Sequence, residues 1–126
     1  MQSREFNTLG PCEEEFVETL TKIGLSKNVA KIFVYLTIVK EATSREIELG
    51  ADLRQPDVSL AMRTLEGQKW IMNRKIRRAG KRGPFRIYRL AYPAHEIIDK
   101  IEREKHNDIE MQIALIDRMR EIIATL

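Results

Sequence analysis

The sequence predicts a mainly helical domain that includes a β-hairpin, an α+β fold, followed by one long C-terminal helix. Three observations lead to this prediction. Four segments between residues 13 and 67 carry apolar residues at helical spacing. Two segments joined through a glycine-containing turn, IMNRKIRR and PFRIYRL, have the composition of short strands. The last segment, residues 93–126, contains no helix breaker after its first residue.

Length and composition favour one modest domain with a helical extension. The chain has 126 residues, 43% of them hydrophobic, which is enough for one small core. We expect a loose arm at residues 1–12, a compact domain at 13–92 and a helical segment at 93–126. The single cysteine, Cys12, and the lack of a signal sequence or an apolar run of ~18 residues favour a cytoplasmic protein away from the membrane.

The first two helices are predicted from apolar spacing and from residues that suit helix ends. The first runs from Glu13 to Ile23, since acidic residues stabilise a helix N-terminus, and Gly24 ends it. Ser26 is the expected N-cap of the second helix, which continues to about Lys40. More than half of the girth of this second helix is apolar, so we expect it at the centre of the core.

A third, short helix and a turn precede the fourth helix. Thr43 and Glu46 have the spacing of a capping box, and Gly50 is predicted to end the third helix. Leu53, in the following turn, is expected to plug the space between the helices. Trp70, after the fourth helix, is expected to fill the core beneath the hairpin.

The fourth helix is predicted to begin at Pro56 and to end at Gly67. Its buried stripe has spacings of four and three residues and comprises Val58, Met62 and Leu65. The outer side of this helix must then hold polar residues and one leucine.

Charge is concentrated in one segment. Residues 69–92 contain nine basic residues and no acidic one, whereas the segments on either side each have a net charge of −3. This asymmetry predicts a polyanionic partner that contacts the hairpin. A solvated hairpin face is the alternative interpretation, but nine basic residues without an interspersed acid are unusual for one.

A short helix, a turn, a second helix and a basic hairpin together predict a winged helix that binds double-stranded DNA. An α-helix fits the major groove, where glutamine can pair with adenine, arginine with guanine, and leucine can touch a thymine methyl group. The expected contacts from the recognition helix are Arg54, Gln55, Pro56, Asp57, Ser59, Leu60 and Arg63. Those expected from the wing, to phosphates or the minor groove, are Arg77, Arg78, Lys81, Arg82 and Arg86. Ordinary helix surface is the alternative for the recognition-helix residues.

The segment from Ala42 to Ile71 resembles the winged helix-turn-helix of small prokaryotic transcription regulators of the MarR and ArsR types, and it looks most similar to archaeal regulators of the TrmB type. The resemblance rests on Thr-Ser-x-Glu-Ile at 43–47, Leu53, Val-Ser-x-Ala-Met-Arg-x-Leu-Glu at 58–66 and Glu-Gly-x-Lys-Trp-Ile at 66–71. It covers about residues 14–92. It implies that Gln55, Pro56, Asp57, Ser59, Leu60 and Arg63 face DNA and that the terminal helix dimerises. TrmB-type proteins often carry a sugar-binding domain, and no segment here can serve as one.

The terminal helix carries a seam of apolar residues at heptad spacing. The expected dimer contacts are Ile109, Gln112, Ile113, Ile116, Met119, Ile123 and Leu126. Leu115 and Ile122 widen the seam. The alternative is that the same face packs on its own domain, but so long a helix has little of a small domain left to cover it.

Catalysis, metal binding and cofactor binding have little support. His95 and His106 lie in no recognisable motif, and Cys12 is expected to be an ordinary free thiol rather than a redox sensor. Gly80 and Gly83 lack the lysine and following helix of a phosphate-binding loop. We therefore expect a homodimeric, sequence-specific DNA-binding transcription regulator that needs no cofactor; the sequence identifies no effector. The alternatives are a protein–protein assembly module of a transcription or replication complex, and an RNA-binding protein.

Overall fold

The structure is a computed structural model, and it describes residues 10–77 and 83–126. The chain divides into two compact units, Met1–Pro93 and Ala94–Leu126. The elements in chain order are α1 (Pro11–Lys22), α2 (Lys27–Val39), α3 (Ser44–Ala51), α4 (Gln55–Gly67), β1 (Ile71–Ile76), β2 (Phe85–Leu90) and α5 (Ala94–Thr125). This order confirms the predicted mainly helical architecture with one hairpin and a long terminal helix.

Helix α1 begins two residues before its predicted start. Pro11 occupies its first turn, where the missing N–H costs no intrahelical hydrogen bond, and the backbone N–H of Glu14 donates to the carbonyl of Gly10 over 2.8 Å. Cys12, which we expected in a loose arm, therefore lies in the first turn of α1 and is exposed. Residues 1–9 of that expected arm lie outside the described residues.

Helix α2 is the central core helix, as predicted. Ser26 caps it by accepting a hydrogen bond from the backbone N–H of Val29 over 3.3 Å. Phe33 is fully buried, and its ring centroid lies 5.9 Å from that of Phe16 and 6.4 Å from that of Trp70. Trp70 is thus a core residue that joins the end of α4 to α2, as the sequence indicated.

Helix α3 begins with the predicted capping box. The hydroxyl of Thr43 accepts from the backbone N–H of Glu46 over 3.2 Å, and the Glu46 carboxylate accepts from the backbone N–H of Thr43 over 2.8 Å. Two of the N–H groups that a helix start leaves without a backbone partner are thereby satisfied. Leu53, in the turn after α3, is half-buried rather than a complete plug.

The prediction that Gly50 ends α3 was wrong. The helix continues to Ala51, and Asp52 reverses the chain in the left-handed conformation, with φ 57° and ψ 56°. Gly50 is instead a packing residue, because a Cβ at this position would overlap the phenol ring of Tyr35. Burial, with a smaller contribution from Glu46, raises the pKa of the Tyr35 hydroxyl.

The hairpin is antiparallel, with a register running from Ile71 opposite Leu90 to Ile76 opposite Phe85. A third segment joins it. Ala42, two residues before the start of α3, exchanges two backbone hydrogen bonds with Tyr88 of β2, at 3.0 and 2.8 Å. This bridge fixes the base of the hairpin to the start of the helix-turn-helix. A single paired residue has no periodicity, so the sequence could not reveal it.

Helix α5 is continuous over 32 residues, and every residue from 102 to 126 is exposed. Within the described part of the chain, α5 and the other helices all lack the length and apolar character required to cross a membrane.

Gly50 and Gly67 offer a matched test of the packing between α2 and α3. We expect Gly50→Ala to destabilise the fold by about 1–3 kcal/mol, because the added methyl group overpacks against Tyr35. Gly67 has open space around its Cβ position, so Gly67→Ala should be neutral or stabilise by up to about 1 kcal/mol. Urea denaturation of both variants measures the difference, and equal midpoints would contradict this packing.

Candidate nucleic-acid interface

The inner face of α4 is buried in the core, as its apolar stripe predicted. Val58, Met62 and Leu65 are all buried, and Ala61 beside them is small enough for close packing. The helix begins at Gln55, one residue before its predicted start, and Pro56 occupies its second position. A proline there loses no hydrogen bond, because the first N–H groups of a helix have no partner within it.

The outer face of α4 carries polar groups at a spacing of four residues. Gln55, Ser59 and Arg63 are exposed, and the Gln55 side-chain nitrogen Nε2 donates to the Ser59 hydroxyl Oγ over 2.8 Å. Leu60, on the same helix, is 65% exposed. Arg54 at the N-cap and Pro56 are exposed too, so six of the seven predicted contacts are accessible to a partner.

Asp57 differs from the other predicted contacts. We expected it on the exposed face, but its side chain is half-buried in the first turn of α4. A carboxylate there interacts favourably with the partial positive charge of the helix N-terminus. This placement gives Asp57 a role within the helix.

The described basic residues of the hairpin region are all exposed. They are Lys69, Arg74, Lys75, Arg77, Arg86 and Arg89. Three of the predicted wing contacts, Arg78, Lys81 and Arg82, lie outside the described residues, together with Gly80 at the expected tip.

The fold brings acidic side chains to a segment that has none in sequence. Arg74 in β1 forms an ion pair of 3.2 Å with Glu41, which lies 33 residues earlier in the link between α2 and α3. Both side chains are about half exposed, so the pair contributes at most about 1 kcal/mol to stability. Its main consequence is to neutralise positive charge in the middle of the hairpin, where Arg74 lies opposite Ile87.

A chain of side-chain hydrogen bonds links α4 to both strands. Asn73 in β1 donates from Nδ2 to the Glu66 carboxylate in α4 over 3.3 Å. The Asn73 carbonyl oxygen accepts from the Arg86 guanidinium in β2 over 2.7 Å. Asn73 therefore orients a predicted wing arginine relative to the predicted recognition helix. Sequence reasoning missed it, because an uncharged residue in a basic strand belongs to no motif.

Helix α5 presents a wide apolar surface. The exposed apolar seam residues are Ile109, Ile113, Ile116, Met119, Ile123 and Leu126, with exposures between 43% and 97%, and Gln112 on the same seam is also exposed. Met111, Leu115 and Ile122 extend this surface beyond the seam. The same part of α5 carries the exposed ion pairs Arg118–Glu121 at 3.0 Å and Arg120–Asp117 at 3.1 Å.

The first unit also has a cleft. A cleft of about 710 Å³ lies between α1, α2 and α3, with side chains of both charge signs along its wall, including Glu14, Glu18, Lys27 and Lys31. No group of three or more histidine, cysteine or acidic side chains within residues 10–77 and 83–126 could hold a metal ion.

Comparisons with known proteins find similarity in structure and none in sequence. No family model matches the sequence. No curated protein matches it either. TrmBL2, an archaeal chromatin protein, superposes with a TM-score of 0.71 at 20% identity, over 88% of this chain and 40% of its own. This chain thus spans less than half of the length of TrmBL2.

Two further solved structures have similar lengths to this chain. A possible transcriptional regulator from Methanosarcina mazei Go1 has a TM-score of 0.58 at 14% identity, over 79% of this chain and 85% of its own. A MarR-family transcriptional regulator from Silicibacter pomeroyi has a TM-score of 0.50 at 15% identity, over 90% and 81%. These are winged helix-turn-helix proteins. The chain therefore has the winged helix-turn-helix fold, with α3 and α4 as the helix pair and β1–β2 as the wing.

Substitution of the two leucines of α4 should distinguish the exposed side of the helix from its buried side. We expect Leu65→Ala to destabilise the protein by about 2–5 kcal/mol, because Leu65 is fully buried. Leu60→Ala should change stability by less than about 0.5 kcal/mol, because Leu60 is exposed. Thermal and urea unfolding compare the two variants, and a large loss for Leu60→Ala would show that this residue packs internally.

Proposed function

We propose that this chain is a sequence-specific, double-stranded DNA-binding transcription regulator that acts as a homodimer. The observation that carries the proposal is the outer face of α4, which exposes hydrogen-bonding groups beside a hairpin whose described cations are all exposed. TrmBL2 is described as an archaeal chromatin protein with a novel mode of DNA binding, and other proteins of this fold are described as transcription regulators. These descriptions support the proposal that this chain binds DNA.

Helix α4 is proposed to read bases in the major groove. The groove, about 12 Å wide, admits one helix, and the N-terminal residues of that helix reach the base edges. Gln55, Ser59 and Arg63 lie along the exposed side in that orientation. Leu60 offers an exposed apolar contact for a thymine methyl group. The buried stripe of α4 keeps this surface at a fixed angle to the domain.

The hairpin is proposed to contact the DNA backbone or the minor groove. Arg77 and Arg86 lie on its exposed surface, and Arg78, Lys81 and Arg82 belong to the segment between the strands. The Glu41–Arg74 ion pair reduces positive charge in the middle of the hairpin, where Arg74 lies opposite Ile87. The exposed Arg77 and Arg86 lie nearer the turn, which suits a wing that approaches phosphates with its tip.

Helix α5 is proposed to form the dimer interface. Its seam exposes six large apolar side chains, and a monomer rarely leaves so large an apolar surface uncovered. Gln112 is the polar residue within the seam, the kind of residue that fixes register at a small cost in stability. A two-fold dimer predicts a pseudo-palindromic site, with half-sites about 34–36 Å apart or a multiple of this distance.

Binding to duplex DNA as a function of salt tests the hairpin. We expect the dissociation constant to rise steeply with salt concentration, since each neutralised phosphate releases counterions. Arg77→Ala/Arg86→Ala should weaken binding to all sequences alike and reduce the log–log salt slope by about 2, one unit for each lost phosphate contact.

The matched control for this variant is Lys22→Ala/Lys27→Ala, which removes two exposed charges from α1 and α2. It should leave the salt slope close to that of the wild type. An affinity that does not depend on salt would contradict the proposal and favour a protein–protein assembly module. A preference for A-form or single-stranded ligands would favour RNA binding.

Two substitutions on opposite sides of α5 test the dimer. Ile116→Glu places a charge in the seam and should shift the protein from dimer to monomer in sedimentation equilibrium. Ala114→Glu adds the same charge roughly 200° around the helix, at about 100° per residue, and should leave the dimer intact. A dimer that persists in Ile116→Glu would place the interface elsewhere.

A further inference from the structure

We infer that Gln55 and Ser59 form a preorganised pair that selects adenine, in which Gln55 touches the base and Ser59 positions the Gln55 amide. The inference rests on the proposed function and deepens it, because it names the base that this part of α4 prefers. It also changes the role of Ser59, which the sequence predicted to contact DNA directly.

The pair lies at the N-terminal end of α4, the end whose residues contact base edges in helix-turn-helix complexes. Gln55 is the first residue of the helix, and Ser59 follows one turn later on the same side. The amide nitrogen Nε2 of Gln55 donates to Oγ of Ser59 over 2.8 Å, and both residues are exposed. An exposed glutamine ordinarily samples several rotamers, so this hydrogen bond selects among them before any partner arrives.

The remaining hydrogen-bonding groups of Gln55 match one base. The amide has two N–H donors and one carbonyl acceptor, and Ser59 engages one donor. When Ser59 accepts from the N–H that points away from the carbonyl, the carbonyl and the second N–H form an adjacent acceptor and donor. Adenine presents the complementary pair in the major groove, the N6 amino donor and the N7 acceptor. Guanine presents two acceptors there, so its O6 would oppose the Gln55 carbonyl.

Ser59 lowers the cost of this recognition. Ordering a flexible side chain opposes binding, and a side chain already held in its binding conformation pays less of that cost. Removal of the Ser59 hydroxyl should therefore weaken adenine selection without abolishing it, whereas removal of the Gln55 amide should abolish it.

Selection from a randomised duplex library, followed by atom-level substitution in the selected site, tests the pair. The full-length wild type should enrich adenine at one position in each half-site, and Gln55→Ala should lose that enrichment. Replacement of this adenine by 7-deazaadenine, which lacks N7, should weaken wild-type binding about 5- to 30-fold, within the range of one good bidentate contact. Gln55→Ala should show no such penalty.

Ser59→Ala should show a 7-deazaadenine penalty at least 3-fold smaller than that of the wild type, and Ser59→Thr, which retains a hydroxyl, should restore it. Thr64→Ala, which removes an exposed hydroxyl elsewhere on α4, is the matched control and should behave as the wild type. Circular dichroism confirms that each variant is folded.

Two results would overturn the inference: adenine enrichment that survives Gln55→Ala, or an equal 7-deazaadenine penalty in Ser59→Ala and the wild type. With either result, salt-dependent binding of duplex DNA would leave the proposed function standing. Wild-type protein that binds no duplex in a salt-dependent manner would refute the proposed function itself.

Discussion

The arrangement of the first unit depends on the aromatic contacts that the buried Phe33 side chain makes. Its ring lies between Phe16 of α1 and Trp70, which follows α4. Because Trp70 directly precedes β1, the same contact that closes the core also sets where the hairpin leaves α4. Leu65, fully buried on the inner side of α4, adds to this packing. The outer side of α4 and the hairpin are thus presented together by one apolar core.

Electrostatic contacts then adjust the surface that the core presents. Glu41 pairs with Arg74 in the middle of the hairpin. Glu66 accepts a hydrogen bond from Asn73, which in turn accepts one from Arg86. Two carboxylates from outside the hairpin thereby neutralise one arginine and orient another. As a result, the positive charge of residues 69–92 is distributed less evenly in the structure than in the sequence. Helix α4 offers hydrogen-bonding groups to a partner, and the hairpin offers positive charge.

Local patterns predicted much of the fold, because they are properties of neighbouring residues. The capping box at Thr43, the cap at Ser26 and the buried stripe of α4 depend on spacings of three or four residues. Contacts between different elements could not be predicted from such local patterns. Examples are Ala42 with Tyr88, Gly50 with Tyr35, and Asn73 with Glu66. Much of the candidate site on α4 could be predicted, because the buried apolar stripe determines which residues of the helix face outwards. The half-burial of Asp57 was missed because side-chain depth at a helix start depends on tertiary neighbours.

The most direct test of the central claim is a nuclear magnetic resonance titration of the labelled protein with duplex DNA, followed through backbone amide shifts. The account predicts that the largest shifts fall in α4 between Gln55 and Arg63 and in the hairpin around Arg77 and Arg86. The amides of α1 between Glu14 and Thr21 should move little. Shifts that concentrate on α1, or a spectrum that does not change at saturating DNA, would contradict the assignment of α4 as the recognition helix.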